Sequence, residues 1–214
     1  MKYLKKFENH ASYNEARQNL ILPNVSLCAQ ENEVHYNPFD PYNGHAYVDL
    51  GLPSGTKWAT MNVGASSETD YGNYYQYGKG AAQYAATSGD SVYSGTEDPL
   101  ATSADTAAQE WGGDWHMPTM AQMQELTANT TYEWATINGV NGGKFTAQNG
   151  NYVFFPAAGN WSYGSQYSVG KGGRYWGSSP NGSSDAYLLY FVDGDKDVYG
   201  EIRESGYSVR PVAS

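Results

Sequence analysis

The sequence predicts an α+β fold, in which two short helices lie between two groups of strands. Roughly the last forty residues hold aromatic and β-branched runs bounded by Gly, Ser, Asn and Asp clusters, a pattern typical of strands. Two helix-capping patterns occur upstream of these runs, near Ser103 and Thr119. The 214 residues fit one domain of ordinary size and an appendage, and the sequence has no repeat of solenoid or propeller period.

The C-terminal strands are predicted over residues 174–179, 186–192 and 207–212. Residues 180–185 and 193–205 are predicted to be polar loops between them. We interpret the strands as scaffold and these loops as the functional surface.

The central part of the domain predicts helices and a hairpin. Ser103 is expected to cap a helix over 104–111, which Gly112 would end. Thr119 and Gln122 form a capping box for a second helix that ends near residue 128. Asn149-Gly150 lies between two strand-like runs and predicts a hairpin turn. Before these elements, the sequence predicts strands over 46–52, 57–63 and 74–77 and a long surface loop over 78–102.

Composition changes near residue 43, so we divide the chain into an appendage, 1–43, and a main domain, 44–214. Ser12 and Glu15 predict a short helix over 13–19 in the appendage, and 33–36 is a candidate strand. The appendage is too small to hold a core of its own. We expect it to dock onto the main domain, another subunit or a larger assembly.

Charge and composition narrow the classes of function. The formal net charge is −10 with only 12 Lys and Arg, which argues against nucleic-acid binding and against binding to anionic membranes. No apolar stretch predicts a signal peptide or a transmembrane segment. The chain has 20 Tyr and 25 Gly, the kind of composition found in antibody-like binding surfaces.

Cysteine and histidine usage argues against several chemistries. Cys28 is the only cysteine, so an intrachain disulfide and a cysteine-based zinc site are excluded. The four histidines show no close spacing typical of metal ligands. We therefore expect a protein that is not an enzyme.

Six sequence blocks resemble one family when taken in order. They are similar to the paralogous C-type-lectin-fold domains of gut bacteria and their phages, a branch related to formylglycine-generating enzymes that includes the variable proteins of diversity-generating retroelements. His116 and Gly177 depart from the family pattern, which usually has Arg and Ser there. The blocks are 47–60, 62–65, 111–119, 155–159, 175–180 and 208–212. A weaker similarity at 22–28 and 34–38 links the appendage to a leader of phage structural and tail proteins.

The resemblance implies a C-type lectin-like fold, with two helices packed on twisted antiparallel sheets and the two ends of the domain close together. It implies that the final fifty-odd residues form a ligand-binding face, which adenine-directed mutagenesis rewrites in diversified members. Formylglycine-generating members need C-terminal cysteines, which this chain lacks. The implied function is non-catalytic recognition of a protein or glycan on a target cell, as a phage tail or cell-surface adhesin.

We predict that the ligand contacts come from three loop regions and from the strand between the last two. Alternation along the strand places Leu188 and Tyr190 outward, where an exposed aliphatic side chain and an exposed ring favour a bound partner. The candidate ligand-binding residues are Trp161, Tyr163, Gln166, Tyr167, Asn181, Ser183, Asp185, Leu188, Tyr190, Asp193, Asp195, Lys196, Asp197, Tyr199, Glu201, Arg203 and Glu204.

An alternative is a calcium-dependent carbohydrate-binding module. Asp193, Asp195, Asp197 and Glu204 fall on positions 1, 3, 5 and 12 of a calcium loop. Val198 occupies the position that requires Gly for the sharp turn, and the flanking segments predict strands instead of helices. We therefore expect no cofactor and keep calcium as the less favoured possibility. The oligomeric state stays open, a homo-oligomer being one possibility.

Overall fold

The computed structural model describes residues 34–35, 43–79 and 92–214, and it is a mixed α+β structure with mostly antiparallel sheets and two helices. The helices are α1 (Thr106–Trp111) and α2 (Met120–Asn129). The strands are β1 (Val34–His35), β2 (Tyr47–Asp49), β3 (Lys57–Ala59), β4 (Tyr75–Gln76), β5 (Thr130–Ile137), β6 (Val140–Ala147), β7 (Tyr152–Pro156), β8 (Asn160–Ser162), β9 (Ser165–Tyr167), β10 (Gly172–Asn181), β11 (Asp185–Val192), β12 (Asp195–Ile202), β13 (Gly206–Tyr207) and β14 (Val212–Ala213).

Four small sheets make up the described structure. Their strand orders are β1-β2-β3-β14, β10-β11-β12, β4-β13-β8-β9 and β5-β6-β7. In the first sheet, β2 and β14 flank β3, because Val48 and Val212 both pair with Trp58. The beginning and the end of the main domain are therefore held in one sheet.

The β10-β11-β12 sheet has a hydrophobic cluster on each face, and this explains its continuous apolar sequence. Leu189 and Phe191 of β11 join one cluster with Met123. The Phe191 ring also contacts Phe145 of the β5-β6-β7 sheet. Leu188 joins the other cluster with Trp176. Both β11 faces are consequently occupied by protein side chains over most of the strand.

Helix α2 confirms the prediction made from its capping box. The Thr119 hydroxyl accepts from the Gln122 amide at 3.2 Å, and the Gln122 side chain accepts from the Thr119 amide at 2.9 Å. Met123 and Leu126, which lie on one face of the helix, are fully buried. The helix thus begins as predicted and ends one residue later.

Helix α1 begins at a different cap from the predicted one. Asp105, not Ser103, accepts from the Ala108 amide at 3.0 Å, and its carboxylate also accepts from the Met117 amide at 2.9 Å. Because Asp105 caps the helix and ties it to the chain beyond Gly112, the helix is shorter than predicted. Burial raises the pKa of this carboxyl, and the amide donors oppose that effect.

The predicted hairpin at Asn149-Gly150 is confirmed, although its turn is longer than two residues, since the pairing of β6 with β7 ends at Thr146 and Tyr152. A second hairpin was missed. Asn138 and Gly139 join β5 to β6 with φ values of 49° and 80°, which is the two-residue turn that Asn-Gly favours.

The C-terminal segment departs from the prediction in two places. Residues 193–205 are not a loop, because residues 195–202 form strand β12, paired along its whole length with β11. The predicted strand over 207–212 is split into β13 and β14. The strands predicted over 174–179 and 186–192 are confirmed as parts of β10 and β11.

The predicted helix over 13–19 and residues 80–91 of the predicted loop over 78–102 lie outside the described residues. In the predicted appendage, Val34 and His35 form β1, which pairs with β2 of the first sheet. This confirms the candidate strand over 33–36.

Candidate functional site

One side of the β10-β11-β12 sheet carries a compact group of polar and aromatic side chains. Arg174, Tyr190 and Asp197 pair in one row across β10, β11 and β12. Tyr199 and Glu201 follow on β12, on the same side of the sheet because side chains alternate along a strand. We call the group formed by Asn160, Arg174, Tyr190, Asp197, Tyr199 and Glu201 the aromatic face.

Arg174 orders the aromatic face. Its guanidinium lies 5.1 Å from the centre of the Tyr190 ring and donates to Asn160 Oδ1 at 3.4 Å. The Tyr190 and Tyr199 rings meet edge to face, 5.6 Å apart. Burial raises the pKa of the Tyr199 phenol, while a hydrogen bond to Arg174 and the charge of Arg174 lower it. The half-buried rings are therefore fixed before any ligand arrives.

The β8-β9 hairpin lies beside this face and presents two exposed tyrosines. Tyr163 is 86% exposed and Tyr167 is 48% exposed. Tyr163 and Gly164 form the turn with φ values of 46° and 75°, a backbone conformation that a tyrosine rarely adopts. Tyr167 pairs with Asn160, so its side chain points to the same side of the hairpin as Asn160.

Trp161 and Gln166 form the next cross-strand pair of this hairpin, so they face away from Asn160. Trp161 is half-buried, and its ring lies 6.3 Å from that of Tyr74. The predicted ligand contacts in this segment are thus divided between the two sides of the hairpin.

Gly159 fixes the base of the hairpin. Its φ is +65°, and a Cβ there would lie 2.7 Å from the Val169 amide nitrogen and closer still to the Tyr167 carbonyl oxygen. Gly164, at the tip, has φ +75° and open space around a Cβ. The two glycines share one backbone conformation and differ in their surroundings.

We expect Gly159→Ala to lower the free energy of unfolding by about 2–3 kcal/mol, because it adds overpacking to the conformational cost. Gly164→Ala should cost about 1 kcal/mol, since only the conformational cost applies. Urea denaturation of both variants measures the difference. Equal losses would show that the close contact at Gly159 relaxes freely.

Two predicted ligand contacts are wrong. Leu188 is fully buried, because the face of β11 that was predicted to be outward is covered by Trp176, Tyr207 and their neighbours. Arg203 is also fully buried, and its guanidinium donates only to backbone carbonyls. Both residues are part of the scaffold.

Other predicted contacts lie away from the aromatic face. Lys196 pairs with Phe191 and lies 5.8 Å from the Tyr132 ring centre, on the opposite side of the sheet. Asn181 and Asp185 close the β10-β11 connection, and Ser183 is exposed within it. These four residues do not join Tyr190 and Tyr199 in one site.

The acidic residues of the proposed calcium loop are spread along an extended hairpin. Asp193 lies in the β11-β12 turn, Asp195 and Asp197 lie on β12, and Glu204 follows its end. In the part of the chain that the structure describes, no three His, Cys, Asp or Glu side chains gather as a metal site. Calcium binding stays a prediction, which calorimetric titration with Ca²⁺ tests directly.

Sequence reasoning missed Arg174 and Asn160. Arg174 was assigned to a scaffold strand, and its contacts to Tyr190 and Tyr199 depend on the strand register. The sequence did contain a signal for Arg174. It lies two residues before the buried Trp176, so its side chain points to the same side of the strand. Arg210 is fully buried and has a structural role. It donates to Asn62 Oδ1 at 2.8 Å and to the Ala59 carbonyl at 3.0 Å.

Two open cavities lie away from the aromatic face. One of about 500 Å³ is bordered by neutral residues, including Asn129 and Gln148. The other, of about 490 Å³, is bordered by Asp105 and His116. The Asp105 carboxylate is already engaged by the backbone amides of Ala108 and Met117, which gives it a structural role.

Comparison of this chain with protein-family models, with curated proteins and with solved structures finds no match. Neither α1 nor α2, the two helices of the described residues, has the length and apolar character needed to cross a membrane.

Proposed function

We propose that this protein is a non-catalytic recognition protein with a C-type lectin-like fold, whose C-terminal strands carry a variable ligand-binding surface. The aromatic face is the observation that carries the proposal. It combines two tyrosines, an arginine and two carboxylates at the border of one hydrophobic cluster, on a sheet whose opposite side is packed by a second cluster. Tyrosine and arginine are the residue types enriched at protein recognition sites.

Preorganisation of the aromatic face supports this function. Arg174 and Tyr190 hold each other in place, and Tyr199 packs edge-on against Tyr190. Side chains that are ordered in the free protein lose little conformational entropy on binding. The face therefore suits recognition of a partner without large rearrangement.

The lectin-like assignment is supported by topology and by the sequence blocks. The first and last strands of the main domain flank β3, and both helices lie between the N-terminal and C-terminal strands. We further propose that the chain is a variable protein of a diversity-generating retroelement and acts as a phage tail or cell-surface adhesin. An adjacent near-copy of the 3′ coding sequence, differing only at adenines and next to a reverse transcriptase gene, would test that assignment.

We expect a variant with Arg174→Gln, Tyr190→Thr and Tyr199→Thr to bind target cells at least about tenfold more weakly, because Tyr and Arg dominate such interfaces. Threonine keeps strand propensity at the two tyrosine positions. Flow cytometry of the fluorescent full chain on a panel of intact bacterial cells measures the loss.

A matched control lies on another sheet. The Lys144 ammonium is 4.7 Å from the Tyr152 ring centre and 2.9 Å from Glu133, a similar combination of cation, ring and acid. A variant with Lys144→Gln, Tyr152→Thr and Glu133→Gln should bind cells as the unchanged protein does. Unchanged cell binding by the aromatic-face variant, at an equal folded fraction, would contradict the proposed function.

A further inference from the structure

Strand β12 is a free edge of the β10-β11-β12 sheet. It has eight residues and pairs with β11 on one side, and no strand of the described residues pairs with its other side. An edge strand of this length presents a row of backbone donors and acceptors, which is a template for another extended chain.

The register shows which backbone groups point outward. The two-residue turn at Asp193 and Gly194 makes Val192 and Asp195 a hydrogen-bonded pair. Hydrogen-bonded positions then recur at every second residue, and the amides of Lys196, Val198, Gly200 and Ile202 point away from β11.

Two of the outward amides are engaged by neighbouring carboxylates. The Val198 amide donates to Asp197 Oδ1 at 2.7 Å, and the Ile202 amide donates to Glu201 Oε1 at 3.3 Å. These local hydrogen bonds protect the edge, as charged side chains commonly do on natural edge strands. They can be exchanged for inter-strand hydrogen bonds without leaving a buried polar group unpaired.

The charges along this edge select the occupant. Asp193, Asp195, Asp197 and Glu204 are exposed, Glu201 is half-buried, and Lys196 is the only cation within β12. A second copy of β12 would place like charges opposite each other, which is destabilising. A basic strand would instead bring each cation within reach of a carboxylate.

We propose that the β12 edge binds an extended basic segment of a partner protein by strand addition, with lysine or arginine at alternate positions. An added strand lies about 4.7–4.9 Å from its neighbour, so alternate side chains would reach Asp195, Asp197 and Glu201. A cation among them also lies near the Tyr199 ring, where cation–π attraction adds to the charge attraction. This inference rests on the proposed function, since it names the class of partner for the ligand-binding surface on the C-terminal strands.

The test uses three synthetic octapeptides that differ in side-chain charge and in the number of backbone amides that can donate. The basic probe alternates lysine with valine or threonine and is blocked at both ends. A second peptide replaces lysine with glutamate, and a third keeps the lysines but carries N-methyl groups on every second amide. We expect the basic probe to bind at least tenfold more tightly than either of the others, because only it supplies both the charge and a complete row of backbone donors.

The matched protein variants are Lys196→Pro and Lys196→Ala. Both remove the same charge, but only proline removes the outward amide, and edge strands tolerate proline at such positions. We expect Lys196→Pro to bind the basic probe at least tenfold more weakly than Lys196→Ala. Equal affinity of the two variants would overturn the proposal, as would equal binding of the N-methylated or glutamate peptide to the unchanged protein.

Hydrogen exchange of the full chain locates the bound peptide. The amides of Lys196 and Gly200 should become protected, whereas those of Trp134 and Thr136 should not. The latter two lie on β5, an eight-residue strand at the edge of the β5-β6-β7 sheet, and serve as an internal control. Equal protection on β5 and β12 would overturn the proposal. Failure of peptide binding, together with loss of cell binding in the aromatic-face variant, would reject strand addition and leave the recognition function standing.

Discussion

Replacing Arg203 with methionine is expected to lower the free energy of unfolding by about 2–4 kcal/mol. The fully buried guanidinium donates to the carbonyls of Tyr93, Gly95, Gly182 and Asp185 at 2.8–2.9 Å. A carbonyl left without a donor in a partly buried place costs about 1–3 kcal/mol, and removal of a buried charge offsets part of the total. Urea denaturation monitored by tryptophan fluorescence measures the change.

Two further variants test whether the planar guanidinium of Arg203, and not its charge alone, is the source of this stability. Arg203→Lys keeps the positive charge but cannot reach four carbonyls in one plane, so it should recover less than half of the lost stability. Glu204→Gln changes the exposed neighbouring residue and should stay within about 0.5 kcal/mol of the unchanged protein. A fully stable Arg203→Lys variant would mean that charge, and not hydrogen-bond geometry, holds these segments together.

Arg203 also shows why part of the site could not be predicted from the sequence. Two of its four acceptors, Tyr93 and Gly95, lie more than a hundred residues away along the chain. A charged residue next to Glu201 and Glu204 has the appearance of a solvent-exposed contact. Only the tertiary structure shows that carbonyls from two distant segments converge on it.

Local patterns predicted those elements whose hydrogen bonds are local. The capping box at Thr119 and the hairpin near Asn149 are both determined within a few residues, and both were identified. Strand β12 was missed because Asp195, Lys196 and Asp197 have the composition of a loop. An edge strand carries such charges without losing its pairing to β11.

Alternation failed on β11 for a different physical reason. Alternation distinguishes an inner from an outer face only when one face is solvated. Here Leu188 and Leu189 are both buried, because a hydrophobic cluster packs on each side of the sheet. Tyr190, near the turn, keeps part of its side chain accessible, and it lies where the prediction placed a ligand contact.

Replacing Trp176 with alanine is expected to have the largest effect on stability, about 3–5 kcal/mol. The indole is fully buried, donates to the Tyr75 carbonyl at 3.0 Å and lies 4.4 Å from the Tyr207 ring. It pairs with Leu188, which pairs in turn with Tyr199, so the cavity would lie beside the aromatic face on the same side of the sheet. Thermal and urea denaturation measure the loss of stability.

Trp161→Ala is the matched control for Trp176→Ala, because it removes the same side chain from a half-buried position on the β8-β9 hairpin. We expect Trp161→Ala to lower the free energy of unfolding by about 1–2 kcal/mol. A half-buried indole removes less apolar area from water than a fully buried one. If the cluster around Trp176 holds Tyr199 in place from the side, Trp176→Ala should also weaken cell binding at temperatures where the protein remains folded. Undiminished cell binding by a folded Trp176→Ala protein would mean that the aromatic face is ordered by Arg174 and Tyr190 alone, independently of the core that supports it.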